Sequence, residues 1–228
     1  MANGADSIYL GAEKFNARDE GAQLTLDELE AACALAHSRG VRIYLTLNTL
    51  VKPGELEDAL GFLGEAIGRG IDAAIVQDVG LVTLIHKVYP GFEIHGSTQM
   101  TVHDASGARL MSELGIDRVV LARENTIDDI RAIRAAVPER GLETFILMRD
   151  DVATATREAA SPLVYWYQDA AKGHACNLIG TPGSVIATLR EYVDIGVRHF
   201  ELKFIAHDVD DQLHMMRAIA ERVVPAFR

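Results

Sequence analysis

Polar residues able to bind or react follow apolar runs of strand length throughout this chain. Ser7–Leu10 precedes Glu13, Lys14, Asn16 and Arg18; Val41–Leu47 precedes Asn48; Ala73–Val76 precedes Gln77 and Asp78. Phe92–His95 leads into Ser97, Thr98, Gln99 and His103, and Arg118–Leu121 into Arg123 and Glu124. Glu143–Met148 ends at Arg149, and His199–Phe204 is followed by His207. In a βα barrel, functional groups stand at the C-terminal ends of strands and in the loops after them. Glu124, His103 and Arg123 are therefore the candidate catalytic residues. Arg18, Asn48, Gln77, Asp78, Ser97 and Gln99 are the candidate substrate contacts. Amides, hydroxyls and paired charges of this kind suit a polar small molecule or a peptide. A plainer reading makes Arg123–Glu124 and Asp78–Arg18 structural ion pairs that close the barrel mouth.

Other chemistries are weaker. His95 and His103, with Asp104, straddle a strand end and a loop, and no third metal ligand is fixed by spacing. A hydrogen-bonding role is the favoured reading. Ser97 near His103 suggests a nucleophile and base, but the Gly-x-Ser-x-Gly elbow is absent. Gly180, Thr181, Gly183 and Ser184 open a helix whose backbone N–H groups could hold a phosphate, such as that of FMN. The competing reading is a plain capped start, with Thr181 as N-cap and Pro182 at the first helical position. Trp166, between Tyr165 and Tyr167, reads as packing rather than a ligand platform.

The elements that must position these residues share one signal. A glycine stops a helix, two residues turn, and an apolar run follows, at Gly4, Gly40, Gly70, Gly115 and Gly196. Helix, glycine, strand, repeated, is the pattern of a parallel sheet wrapped by helices. The fold class expected is α/β, a TIM-type (β/α) barrel lacking or replacing one βα unit and spanning residues 1–228 as a single domain. Seven strands are countable, with Leu178-Ile179 as a short eighth. Gly4-Ala5-Asp6 looks like a junction without its preceding helix, leaving a seam that association between copies would cover.

Composition narrows the classes. The net charge of −11 and pI near 5.1 oppose a phosphate backbone, so nucleic acid is disfavoured. No apolar run reaches the length of a membrane span, and Met1-Ala2-Asn3-Gly4 lacks the regions of a signal peptide. Two cysteines, Cys33 and Cys176, make no disulfide framework, which points to a reducing, cytoplasmic setting.

Several stretches carry a resemblance. Gly4 to Gly11, Lys14 to Arg18, Leu45 to Leu50, Gln77 to Leu81, His95 to His103 and Val119 to Glu124 resemble the collagenase-like peptidases of unknown catalytic type, in the family's order. The resemblance spans about Gly4 to Phe145 and implies a barrel of the peptidase, hence hydrolase, kind. Several members of that family resemble oxygen-independent hydroxylation factors for RNA or quinone that hold an iron–sulfur cluster. The cysteine-rich segment expected after the sixth strand is absent, and two cysteines fall short of the four ligands such a cluster generally needs. From about Ile146, Leu178 to Pro182, Leu189 to Val197, Phe200 to Lys203 and Glu221 to Phe227 resemble the end of bacterial-luciferase-like flavin monooxygenases. Together these resemblances imply a join near Phe145 between parts 1–145 and 146–228. The remaining readings are a flavin-dependent oxidoreductase and an inactive chimeric scaffold.

Overall fold

A left-handed glycine followed two residues later by an aspartate precedes strands at three of the expected junctions, and at two of them the aspartate grips the neighbouring strand. Gly70 has φ +101° and Gly115 φ +81°, a region where a side chain is strained. Asp72 then takes both backbone groups of Ile43: its N–H donates to the Ile43 carbonyl at 2.8 Å, and its Oδ2 accepts the Ile43 N–H at 2.7 Å. Asp117 does the same to Ile94, at 3.0 and 2.9 Å. Each aspartate thereby fixes the register of a parallel strand pair at its first rung.

The computed structural model describes residues 3–17, 23–137 and 141–228. In chain order the elements are β1 (Ser7–Leu10), α1 (Leu26–His37), β2 (Arg42–Leu47), α2 (Leu56–Gly68), β3 (Ala73–Val76), α3 (Val79–Val88), β4 (Glu93–Gly96), α4 (Ala105–Glu113), β5 (Arg118–Leu121) and α5 (Ile127–Ala136). There follow β6 (Gly141–Met148), α6 (Val152–Tyr167), α7 (Ala170–Ala175), β7 (Leu178–Gly180), α8 (Pro182–Asp194), β8 (His199–Phe204) and α9 (Val209–Arg222). The capping signals read from sequence are present. Thr25 and Glu28 close a capping box on α1, Thr126 caps α5, and Thr181 with Pro182 starts α8.

The chain divides into two compact units, Met1–Thr101 with Arg109–Val120, and Val102–Ala108 with Leu121–Arg228. In the first, β1 to β5 form a parallel sheet in chain order. One sheet face packs on helices through Leu29, Cys33 and Ala36 of α1, Phe62 and Leu63 of α2, and Leu81 and Ile85 of α3. Helical spacing puts those residues on single faces, and their burial supplies the hydrophobic drive. Cys33 is part of this core, and burial pushes its thiol upward, away from the reactive thiolate.

In the second unit, β6 pairs with β7 on one side and β8 on the other, all parallel. Ile146 sits in both ladders, opposite Leu178 and Phe204. The order β8-β6-β7 departs from the chain order of a (β/α)₈ ring, where β7 would lie between β6 and β8. Alternation along β8 sends Phe200, Leu202 and Phe204 into the core with Leu178, Val185, Leu189 and Ile219. Leu147 and Ile179 pack instead with Ala155, Ala159 and Leu163 of α6. The eighth strand expected at Leu178-Ile179 is present, while α7 falls in a stretch that sequence left unassigned.

The aspartate rungs carry a testable cost. Replacing Asp72 or Asp117 by alanine strands a strand-initiating N–H and should lower stability by about 1–2 kcal/mol in urea unfolding. An unchanged midpoint would remove their register role.

Candidate functional site

The polar rim of the first unit is assembled by its register. Leu47 stands opposite Val76, and Val76 opposite Gly96, so Asn48, Gln77 and Ser97 follow side by side at the C-terminal ends of β2, β3 and β4. Their side chains tie loops together. Asn48 Oδ1 accepts the Ala17 N–H at 3.1 Å. Asp78 Oδ1 caps α3 through the Leu81 N–H at 2.9 Å, and Oδ2 accepts the Val51 N–H at 3.2 Å. Ser97 is buried, and its Oγ accepts the Gln99 N–H at 3.2 Å. Gln77 is half-buried and Gln99 exposed. Arg18 lies outside the described residues, and with it the expected Asp78–Arg18 pair; Asp78 spends both oxygens on backbone amides. These ties make Asn48, Asp78 and Ser97 organisers of the rim.

A charged network missed from sequence covers the sheet face turned away from the α1–α3 core. Arg42 and Tyr44 of β2, Glu93 and His95 of β4 and Arg118 of β5 alternate out of runs that read as apolar. Arg42 Nη2 donates to Glu93 Oε2 at 2.5 Å, and His95 Nε2 lies 2.6 Å from Glu93 Oε1. An ionised carboxylate at that distance requires a proton on Nε2. His95 is fully buried and meets the Tyr44 ring edge-on at 4.6 Å. Both guanidinium groups flank that ring, Arg42 at 5.3 Å and Arg118 at 5.8 Å from its centroid. The hydrogen bond from His95, with Arg42 adding to it, holds Glu93 down at about 2 against the cost of burial. His95 is thus a hydrogen-bonding core residue.

The second unit holds the expected catalytic residues. Arg123 lies 5.2 Å from the Trp166 ring centroid, and Lys203 Nζ approaches the same ring at 4.6 Å. Tyr165 meets Trp166 edge-on at 5.1 Å and is strongly exposed. Behind them, Asn177 donates to the Tyr167 hydroxyl at 2.8 Å, and burial pushes that phenol up to about 12. Glu124 is exposed; its carbonyl faces Cys176 Sγ at 4.0 Å. His103 lies near Asp129, whose carboxyl is lowered chiefly by the Thr126 hydroxyl, with His103 a smaller cause. Trp166 is thus a cation-flanked ring, where packing alone was expected. Distance along the chain hid this, since residues 123, 166 and 203 share no local pattern.

Two further groups complete this unit. Arg149 bridges Glu158 at 2.6 Å and Asp211 at 2.9 Å, and His207 joins them, with Nε2 3.4 Å from Glu158. Arg149 and His207, both expected near a rim, therefore belong to one ion cluster. Glu201, 8% exposed, has Oε1 3.6 Å from His199 Nε2. At the start of α8, Ser184 Oγ accepts the Thr181 N–H at 2.9 Å and Thr181 Oγ1 accepts the Ser184 N–H at 3.4 Å. Two of the amides considered for a flavin phosphate are thus occupied by the cap, beside Gly180 and Gly183. No helix among the described residues is long and apolar enough to cross a membrane.

Parallel βα units with polar strand ends define an α/β protein of the barrel-related type. Residues 1–176 match Peptidase family U32, and the chain belongs to that family. The match runs through Phe145, so one family spans the place where a join was expected, while the luciferase-like stretches from Leu178 onward lie beyond it and gain no support. The chain is 38% identical over 146 residues to the 23S rRNA 5-hydroxycytidine C2501 synthase of Escherichia coli, covering 64% of this chain and 22% of that protein. It is 33% identical over 135 residues to a collagenase of Porphyromonas gingivalis, covering 59% of this chain and 32% of that protein. The chain therefore spans about a fifth to a third of the length of these relatives. Its fold is similar to that of the U32 peptidase Mk0906, with a TM-score of 0.52 at 18% identity over 62% of each chain.

The Glu93 network predicts a pH dependence. Its folded value near 2 lies below the unfolded value of about 4.3, so its stabilisation is complete above the unfolded value and is lost as pH falls toward 2. Glu93→Gln should lower stability at neutral pH and flatten the acid limb between about pH 4.5 and 2 in urea unfolding. An acid limb identical to that of the unaltered chain would contradict the network's role.

Proposed function

We propose that this chain is a U32-family module of the RNA-hydroxylation type and that its own contribution is to hold an unpaired base. The carrying observation is the exposed Tyr165–Trp166 pair flanked by Arg123 and Lys203. Aromatic rings and guanidinium planes stack bases, and cations beside them meet the phosphate of the same nucleotide. The relative from E. coli, a 23S rRNA 5-hydroxycytidine C2501 synthase, supports the substrate class.

The net charge of −11 limits the mode of contact. A long duplex would be repelled, whereas one or two unstacked nucleotides need only a local cationic patch. Arg123 passes in this reading from candidate catalytic residue to base contact. Glu124 and His103 stand as polar neighbours of the bound nucleotide. The hydroxylation chemistry itself is assigned to the longer proteins of this type.

Binding of a short fluorescent single-stranded RNA, followed by anisotropy at low salt, tests the reading. Arg123→Ala, Lys203→Ala and Trp166→Ala should each weaken binding by about tenfold, as loss of 1–3 kcal/mol of stacking implies. Equal affinity in all three variants would refute it. Cleavage of gelatin or casein that disappears in His103→Ala and Glu124→Gln would favour the hydrolase reading instead.

A further inference from the structure

Two segments far apart in sequence must meet for Arg123 to lie on Trp166: the loop after β5 and the last turn of α6. Tyr167 joins them. Its side chain leaves α6 about 100° round the helix from that of Trp166. It is half-buried, whereas Tyr165 and Trp166 are exposed. The hydroxyl donates to the Arg123 carbonyl at 3.5 Å and accepts from Asn177 Nδ2 at 2.8 Å. Asn177, 5% exposed, also donates to the Gly173 carbonyl at 2.6 Å, which fixes its amide. With a lone pair of the phenol engaged by that amide, its single proton is left for the Arg123 carbonyl. Burial pushes the phenol up to about 12, so it stays a donor at neutral pH. Gly173 lets α7 press on the ring, since a Cβ there would stand 2.9 Å from Tyr167 Cδ2 and 3.0 Å from Leu163 Cβ.

We propose that Tyr167 is a positioning residue: by holding the Arg123 backbone to the end of α6, it sets the Arg123 guanidinium on the Trp166 ring before any ligand arrives. A preset pair of cation and ring spares a ligand the cost of ordering an arginine side chain. Lys203 reaches the same ring from β8, a different element, at 4.6 Å. The part of the test that uses RNA rests on the base contact proposed above, and the part read in the free protein does not.

The test is a double-mutant cycle in the full chain. It is read by the emission of the single tryptophan, excited beyond tyrosine absorption, and by anisotropy with a short single-stranded RNA. Tyr167→Phe keeps the ring and removes the hydroxyl. It should move the free-protein emission in the same direction as Arg123→Ala and weaken RNA binding about threefold, the scale of one hydrogen bond. In an Arg123→Ala background it should do neither, because no guanidinium is left to place. In a Lys203→Ala background both effects should persist. Emission left unmoved by Tyr167→Phe, affinity left unmoved where RNA binds, or effects that survive undiminished without the Arg123 side chain would overturn the assignment. A merely structural role gives the same change in every background. If the unaltered chain binds no RNA, the base contact fails and the emission cycle still decides the role of Tyr167. If Tyr167→Phe does not fold, Gly173→Ala displaces the ring instead. An emission shift that vanishes in the Arg123→Ala background then upholds the role, and no shift, or one that persists, overturns it.

Discussion

The paired grip of an aspartate on the second residue of the neighbouring strand is the constraint on which the first unit depends. A parallel sheet slipped by one residue exchanges its two faces. Asp72 on Ile43 and Asp117 on Ile94 prevent that slip at the start of the β2–β3 and β4–β5 pairs. The consequences reach both layers of polar residues. At the far end of the strands the same register lines up Asn48, Gln77 and Ser97, and along the face it sets His95 opposite Arg118.

What could be read in the sequence was what is local. Glycine at the end of a helix, hydroxyl caps three residues before a carboxylate, and most strand limits depend on a few consecutive residues. The Gly-x-Asp spacing was visible too, but its chemistry was not, because the partner amide lies 29 residues away in one case and 23 in the other. Polar residues on the sheet face were hidden for a related reason. Arg42-Ile43-Tyr44-Leu45 has enough apolar content to pass as a strand buried on both faces, yet alternation turns its arginine and tyrosine into a charged layer. The pairing of β8 with β6 likewise leaves no mark in sequence, since strand order is decided by packing between distant segments.

The expected rim residues proved to have prior engagements. Asp78 and Asn48 hold loops, the Thr181–Ser184 pair closes a helix cap, and Ser97 is committed to a turn. Function in a family whose members include a collagenase and an rRNA 5-hydroxycytidine synthase is therefore better sought in side chains that the fold leaves facing outward with aromatic and cationic character. The Tyr165–Trp166 pair with Arg123 and Lys203 has that character, and Tyr167, anchored by Asn177, fixes the end of the helix that presents it.

Trp166 is the chain's single tryptophan, so its emission reports on that surface directly. Titrating the unaltered protein with a short single-stranded RNA should quench the emission saturably, with a midpoint that moves to higher RNA concentration as salt is raised. Emission that stays constant through the titration, at low salt and with RNA in excess, would contradict base contact at this ring.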